Sequence, residues 1–84
     1  MSQTIQITVR LFSHVRHALG RDELQLDIAS DATASDVEIR IREMIGDAIA
    51  GVPFRLAVNQ SFVEPDTALH EGDEVAIIPP VQGG

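Results

Sequence analysis

Residues 75–78 near the end of the chain, Val-Ala-Ile-Ile, are apolar at four consecutive positions. A strand of this composition is buried on both faces, or it turns its outer face to a partner, so it belongs at the centre of a sheet. Residues 4–12 form the other strong strand pattern, because apolar side chains alternate with polar ones at Ile5, Ile7, Val9 and Leu11. These two strands are expected to lie side by side and parallel at the centre of one sheet.

The stretch between these strands contains one further strand pattern and one helix pattern. Alternation over residues 23–29 predicts a strand antiparallel to the first, after a short helical turn. An amphipathic helix is predicted over residues 34–45, because apolar side chains recur at helical spacing at Val37, Ile41, Met44 and Ile45. Thr33 or Ser35 can cap this helix, and Ser35 with Glu38 matches a capping box.

After the helix the pattern returns to short strands. Residues 46–53 are predicted as a loop and residues 55–59 as the third strand. A turn follows, and Phe62 and Val63 form a short return strand. The resulting order predicts an α+β roll, in which a mixed sheet carries one main helix packed on one face.

The 84 residues of the chain suffice for one domain with one core. Its apolar stretches are far shorter than the ~20 residues of a membrane span, and the first residues do not have the pattern of a signal peptide. A cytoplasmic protein that does not enter the membrane is therefore expected.

Charge and residue usage exclude several classes of function. Thirteen acidic and six basic residues give a net charge of −7, which disfavours binding to nucleic acid and favours a partner with a basic face. All six basic residues are arginines, so no lysine is present to accept an isopeptide bond from a second copy. With no cysteine, the chain has no thiolate metal ligand and no nucleophilic sulfur of its own.

The sequence contains no motif of a metal site or of a catalytic site. His14 and His17 lie three residues apart and His70 is a third candidate, but no carboxylate accompanies them at a fixed spacing, so solvated surface histidines are the simpler interpretation. No glycine loop of a phosphate-binding spacing is present. We expect the chain to bind no metal or cofactor and not to catalyse a reaction alone.

One main helix covers only one face of the predicted sheet, so the other face is expected to expose an apolar patch. Phe12 has the parity of the polar row in the first strand. One of Ile77 or Ile78, together with Phe62, is expected to join it close to the end of the last strand. A patch of this kind favours a protein partner.

Residues 79–84, Pro-Pro-Val-Gln-Gly-Gly, follow the last strand. Proline cannot donate to a β ladder and holds φ near an extended value, so strand pairing should stop there. Residues 1–78 are expected to form the domain and residues 79–84 a flexible tail that reaches about 20 Å when extended. Gly83 and Gly84 have no side chains, so the tail can thread a narrow channel and present an unhindered carboxyl group.

Two stretches carry a resemblance to a known family. Residues 58–60, Val-Asn-Gln, and residues 71–84, from Glu-Gly-Asp-Glu to the Gly-Gly end, are similar to the small, sulfur-carrying subunit of molybdopterin synthase. Leu11 and Phe12 at the end of the first strand add weaker support. The resemblance covers nearly the whole chain and implies the ubiquitin-like β-grasp fold.

The chemistry that this resemblance implies depends on the tail. A carboxylate is a poor electrophile, so a partner resembling the ubiquitin-activating enzymes would convert the Gly84 carboxylate to an acyl adenylate, with ATP and magnesium bound by that partner. Sulfur from a persulfide donor would then replace the adenylate and leave a thiocarboxylate on Gly84. The large catalytic subunit would receive the tail in a heterotetramer. Two carriers would supply the two sulfurs of the dithiolene that is made from cyclic pyranopterin monophosphate.

The same resemblance gives individual residues a role. Gly84 reacts and Gly83 permits threading, while the tail is aimed by Pro79, Pro80, Val81 and Gln82. The partner face of the family corresponds to Phe12, Arg16, Phe62 and Ile78.

Three alternatives share the fold. The chain can be a sulfur carrier for another pathway, such as thiazole synthesis for thiamine, although the Pro-Pro-Val stretch before Gly-Gly favours the molybdopterin pathway. It can also be a modifier conjugated to lysines of other proteins, or a β-grasp binding module with an inert tail.

Overall fold

The structure is a computed structural model that describes residues 3–79, without the side chains of residues 14 and 48. This part of the chain forms five strands and two α-helices. In chain order the elements are β1 (Thr4–Leu11), α1 (Ser13–Leu19), β2 (Glu23–Ala29), α2 (Ala34–Ile45), a 3-10 helix (Gly46–Ile49), β3 (Arg55–Val58), β4 (Ser61–Phe62) and β5 (Glu74–Ile78).

The strands form one mixed sheet in the order β2-β1-β5-β3-β4. β1 and β5 are parallel neighbours, with Val9 opposite Val75 and Leu11 opposite Ile77. The other neighbouring strands are antiparallel. The predicted α+β roll is confirmed, including the two most apolar strands at its centre.

The core lies between the sheet and α2. On β1 and β5 the residues of one parity are almost completely buried, and they meet the buried face of α2, which presents Val37 and Ile41. Complete burial of a Val or Ile side chain stabilises a fold by about 1.5–3 kcal/mol. Successive side chains of a strand point to opposite faces, so a shift of the register by one residue would place Arg10 and Glu74 in this core.

α2 spans the predicted residues 34–45, and one of the two predicted capping residues caps it. Thr33 is the N-cap: its hydroxyl accepts from the Asp36 amide, and the Asp36 carboxylate accepts from the Thr33 amide at 2.8 Å. The predicted box of Ser35 and Glu38 is wrong, because the helix already begins at Ala34. The extended backbone of Thr33 also forms a β-bridge to Ala68.

Arg42 connects α2 to the segment that leads into β3. Its guanidinium donates to the Glu38 carboxylate at 2.8 Å and to the backbone carbonyl oxygens of Ile49 and Val52. The same group lies over the Phe54 ring, 4.6 Å from its centroid. This segment, predicted as a loop, includes the 3-10 helix, and Ile49 is 1% exposed in the core.

The capping box gives a test of the helix start. Thr33→Ala removes the hydroxyl that accepts from the first turn, so we expect the free energy of unfolding to fall by about 1 kcal/mol. Ser35→Ala is the matched control, and its effect should be within about 0.5 kcal/mol. Urea unfolding followed by far-UV circular dichroism measures both. A larger loss for Ser35→Ala than for Thr33→Ala would contradict this assignment.

Candidate functional site

The sheet face opposite α2 carries the side chains of the second parity. The strand registers align Arg10 of β1, Ala76 of β5, Ala57 of β3 and Phe62 of β4 in one row across four strands. We call this face the outer face. In the neighbouring row Ile78 of β5 stands opposite Arg55 of β3.

A shallow depression occupies the centre of the outer face. Its lining contains three large apolar side chains, two alanines and three polar side chains: Phe12, Phe62, Ile78, Ala57, Ala76, Arg10, Gln60 and Glu74. The alanines are small, so the larger neighbours stand above them and leave a hollow. Its volume of about 240 Å³ lies below the range of typical small-molecule sites, which favours a protein partner.

The apolar side chains around the depression are exposed to solvent. Phe62 is 57% exposed and Phe12 is 38% exposed, whereas Ile77 on the core face of β5 is 0% exposed. The strand pattern left open which of Ile77 and Ile78 faces outward, the family resemblance named Ile78, and the structure places Ile78 on the outer face. A contiguous exposed apolar surface of this kind is typical of an interaction site.

Two arginines lie beside the depression in different environments. Arg10 is paired on both sides, with its Nε 4.0 Å from the Glu23 carboxylate and its guanidinium 3.6 Å from the Glu74 carboxylate. Arg55 lies over the Phe62 ring, with the guanidinium carbon 3.7 Å from the ring centroid. The sequence indicated neither role, because parity places both residues on the outer face but only the register shows what lies opposite them.

The turn between β3 and β4 supplies the polar edge of the depression. Asn59 and Gln60 both have positive φ, 51° and 72°. The Asn59 side chain donates to the Asp73 carboxylate and accepts from the Glu74 amide, both at 3.0 Å, and so joins the turn to the start of β5. The turn places Gln60 at the depression, although a left-handed conformation is unfavourable for glutamine. Residues 58–60 thus have a structural role that the sequence pattern alone did not reveal.

The structure brings together three of the four residues assigned to the partner face, namely Phe12, Phe62 and Ile78. The fourth, Arg16, is exposed on α1 and is not part of the lining of the depression. Contact of these four residues with a partner stays a prediction.

The tail begins at the edge of the depression. Pro79 is half-buried and directly follows Ile78, the last residue of β5. The other tail residues to which a role was assigned lie outside the described residues: Pro80, Val81, Gln82, Gly83 and Gly84.

Residues 3–79 give no indication of a metal centre. Where the structure describes side chains, no three His, Asp or Glu residues cluster in a way that could hold a metal ion. His17 is exposed, and His70 pairs with the Asp73 carboxylate at 3.9 Å. In the same part of the chain no helix has the length and apolar character needed to cross a membrane.

Adjacent isoleucines on β5 test the separation of the two faces. Ile77→Ala leaves a cavity in the core, so the free energy of unfolding should fall by about 2–5 kcal/mol. Ile78→Ala removes a half-buried side chain from the outer face and should cost about 1 kcal/mol or less. Urea unfolding measures the pair under identical conditions. Equal losses would show that the outer face contributes to stability as much as the core face does.

Known proteins share both the sequence pattern and the fold. The pattern of the ThiS family matches residues 9–84. The molybdopterin synthase sulfur carrier subunit of Dictyostelium discoideum is 35% identical over 83 residues, which cover 94% of this chain and 96% of the relative.

Two solved structures resemble this chain along nearly its whole length. The solution structure of the HVO 2177 protein of Haloferax volcanii has a TM-score of 0.82 at 26% identity and covers 96% of this chain and 88% of its own. The complex of subunits 1 and 2 of the molybdopterin-converting factor from Helicobacter pylori includes a chain with a TM-score of 0.61 at 24% identity. That match covers 95% of this chain and 100% of the other.

These similarities confirm the ubiquitin-like β-grasp fold and the family resemblance that the tail motif indicated. The chain belongs to the ThiS family, in which the molybdopterin synthase sulfur carrier subunits are its relatives by sequence.

Proposed function

We propose that this chain is the sulfur carrier subunit of a molybdopterin synthase. In this role it donates the sulfur for the dithiolene of molybdopterin, which is made from cyclic pyranopterin monophosphate. The observation that carries the proposal is the similarity to the Dictyostelium sulfur carrier subunit over nearly the full length of both chains. The family match extends through the Gly-Gly residues at positions 83 and 84.

The proposed chemistry takes place on the Gly84 carboxyl group. An adenylyltransferase resembling the ubiquitin-activating enzymes binds ATP and magnesium and joins the carboxylate to AMP, with release of pyrophosphate. Activation is needed because the free carboxylate resists attack by a nucleophile. The outer sulfur of a persulfide donor then attacks the acyl carbon and displaces AMP. A thiol cleaves the S–S bond of the resulting acyl disulfide, which leaves the thiocarboxylate on Gly84 and a disulfide between the donor sulfur and that thiol. The chain contributes the reacting end and no cysteine of its own.

The geometry of β5 supports delivery of this tail to a large catalytic subunit. Ile78 lines the depression and Pro79 follows it, so a protein that covers the depression receives the tail at its root. The solved Helicobacter pylori complex joins subunits 1 and 2 of the molybdopterin-converting factor. We infer a corresponding pair here, with two carriers and two large subunits in a heterotetramer.

Transfer of sulfur to Gly84 is tested by the intact mass of the chain. After incubation with ATP, magnesium, the activating enzyme, a persulfide sulfur donor from the same cell and a thiol reductant, we expect a mass gain equal to the replacement of one oxygen by sulfur. The control is the same chain with one alanine appended after Gly84, which blocks the reacting carboxyl group and should show no gain. A folded wild-type chain that gains no mass would contradict the proposal.

The molecule that accepts the sulfur distinguishes a role in molybdopterin synthesis from a role in the thiazole pathway. Sulfur from the loaded chain should reach cyclic pyranopterin monophosphate when the large synthase subunit is present. Transfer only in the presence of a thiazole synthase would assign the chain to the other pathway.

The docking surface gives a second test of this proposal. Phe62→Asp and Ile78→Asp each place a charge in the apolar depression, so binding to the large subunit should weaken at least tenfold, a cost of about 1.4 kcal/mol. Ile39→Asp is the matched control, because Ile39 is 51% exposed on α2, away from the outer face. Isothermal titration calorimetry gives the affinities. Unchanged affinity of both depression variants would place the partner on a different surface.

A further inference from the structure

Within residues 3–79, Arg55 of the outer face has no counterion within 4.0 Å. It is exposed at the start of β3 and stands opposite Ile78 in the strand register. Its guanidinium carbon lies 3.7 Å from the centroid of the Phe62 ring. Stacking at this distance holds the guanidinium against the ring without using its N–H donors.

The charge of Arg55 is not balanced within the described part of the chain. Over residues 3–79, the arginine–carboxylate pairs within 4.0 Å join Arg10 to Glu23 and Glu74, and Arg42 to Glu38. Glu64 borders the same surface hollow as Arg55 but does not lie within this distance of it. The described side chains also accept no hydrogen bond from Arg55. Arg10 on the same face has two carboxylates beside it, so the two arginines differ in what a partner must supply.

Docking on the depression would change the surroundings of Arg55. A protein that covers the Phe62 ring also displaces water from the guanidinium stacked on that ring. A buried charge is unfavourable unless it is paired and hydrogen-bonded, and no carboxylate of residues 3–79 lies within 4.0 Å of the Arg55 guanidinium. A carboxylate on the partner would supply the missing pair.

We propose that Arg55 determines partner specificity, and that the large catalytic subunit carries a carboxylate that pairs with Arg55 when the depression is covered. This inference rests on the proposed function, because it deepens the description of the same interface. A carboxylate matches the planar fork of the guanidinium, which can donate two parallel N–H bonds to its two oxygens.

The positive charge of Arg55 is opposite in sign to the net charge of the whole chain. A net charge of −7 favours approach of a basic surface at long range. Arg55 then selects, among basic surfaces, one that presents a carboxylate at the position facing β3. A surface with a cation or an apolar group at that position would leave Arg55 desolvated and unpaired, and so would be rejected.

Substitutions at Arg55 test this pairing, because it decides whether they lower or raise the affinity for the large subunit. Arg55→Met keeps an apolar stem on the Phe62 ring and removes the charge. If the partner supplies a carboxylate, this variant leaves that carboxylate without a cation, and the affinity for the large subunit should fall about tenfold or more. If the partner supplies none, the variant relieves a desolvated cation, and affinity should be unchanged or higher. Arg55→Glu should weaken binding about a hundredfold, because it sets two carboxylates against each other.

The measurements use the full chain and the purified large subunit from the same cell, by isothermal titration calorimetry at low and at physiological salt. Arg40→Met is the matched control on exposed α2 surface and should change affinity by about twofold or less. Circular dichroism checks that each variant is folded. If both Arg55 variants weaken binding as expected, a large subunit in which lysine replaces the carboxylate that faces Arg55 should restore binding to the Arg55→Glu chain.

The outcomes separate this inference from the function on which it rests. If the wild-type chain binds the large subunit and Arg55→Met binds as tightly, or more tightly, the assigned role of Arg55 is wrong while the proposed function stands. If the folded wild-type chain forms no complex, the proposed function fails and this inference fails with it.

Discussion

The parallel pairing of β1 with β5 is the contact on which the rest of the structure depends. It joins residues more than sixty positions apart in sequence, such as Val9 and Val75, and both of these side chains are fully buried. Parallel strands need a long crossover connection, and here that connection contains α2, which covers the core face. Because β5 lies between β1 and β3, the segment that follows it leaves from the middle of the sheet and not from an edge.

The same pairing creates the outer face. Successive side chains of a strand point to opposite sides, so each buried residue of β1 and β5 has a neighbour on the uncovered side. The registers place the two alanines between larger side chains and thus produce the depression. Ile78, the last residue of β5, lines this depression and Pro79 follows it, so the candidate docking surface and the first residue of the tail are adjacent.

Charge on this protein has to be considered at two scales. The excess of acidic residues sets the long-range field, whereas individual pairs decide what a docked surface must contain. On the outer face Arg10 is compensated by Glu23 and Glu74, while Arg55 is held by an aromatic ring. The two arrangements differ in charge, since a carboxylate neutralises a nearby cation whereas a ring stabilises the cation and leaves its charge in place.

Local periodicity was enough to determine β1, β2, α2, their order and the central position of β5, because each pattern lies within a few consecutive residues. The Gly-Gly end and residues 58–60 were enough to indicate the family. The sequence offered both Thr33 and Ser35 as caps of α2, and only the structure shows that Thr33, whose extended backbone bridges Ala68, is the N-cap. The outward orientation of the Ile78 side chain and the stacking of Arg55 on Phe62 depend on the register between strands. Register is a non-local property: it is set by which side chains pack together across the sheet, and no stretch of sequence contains it alone.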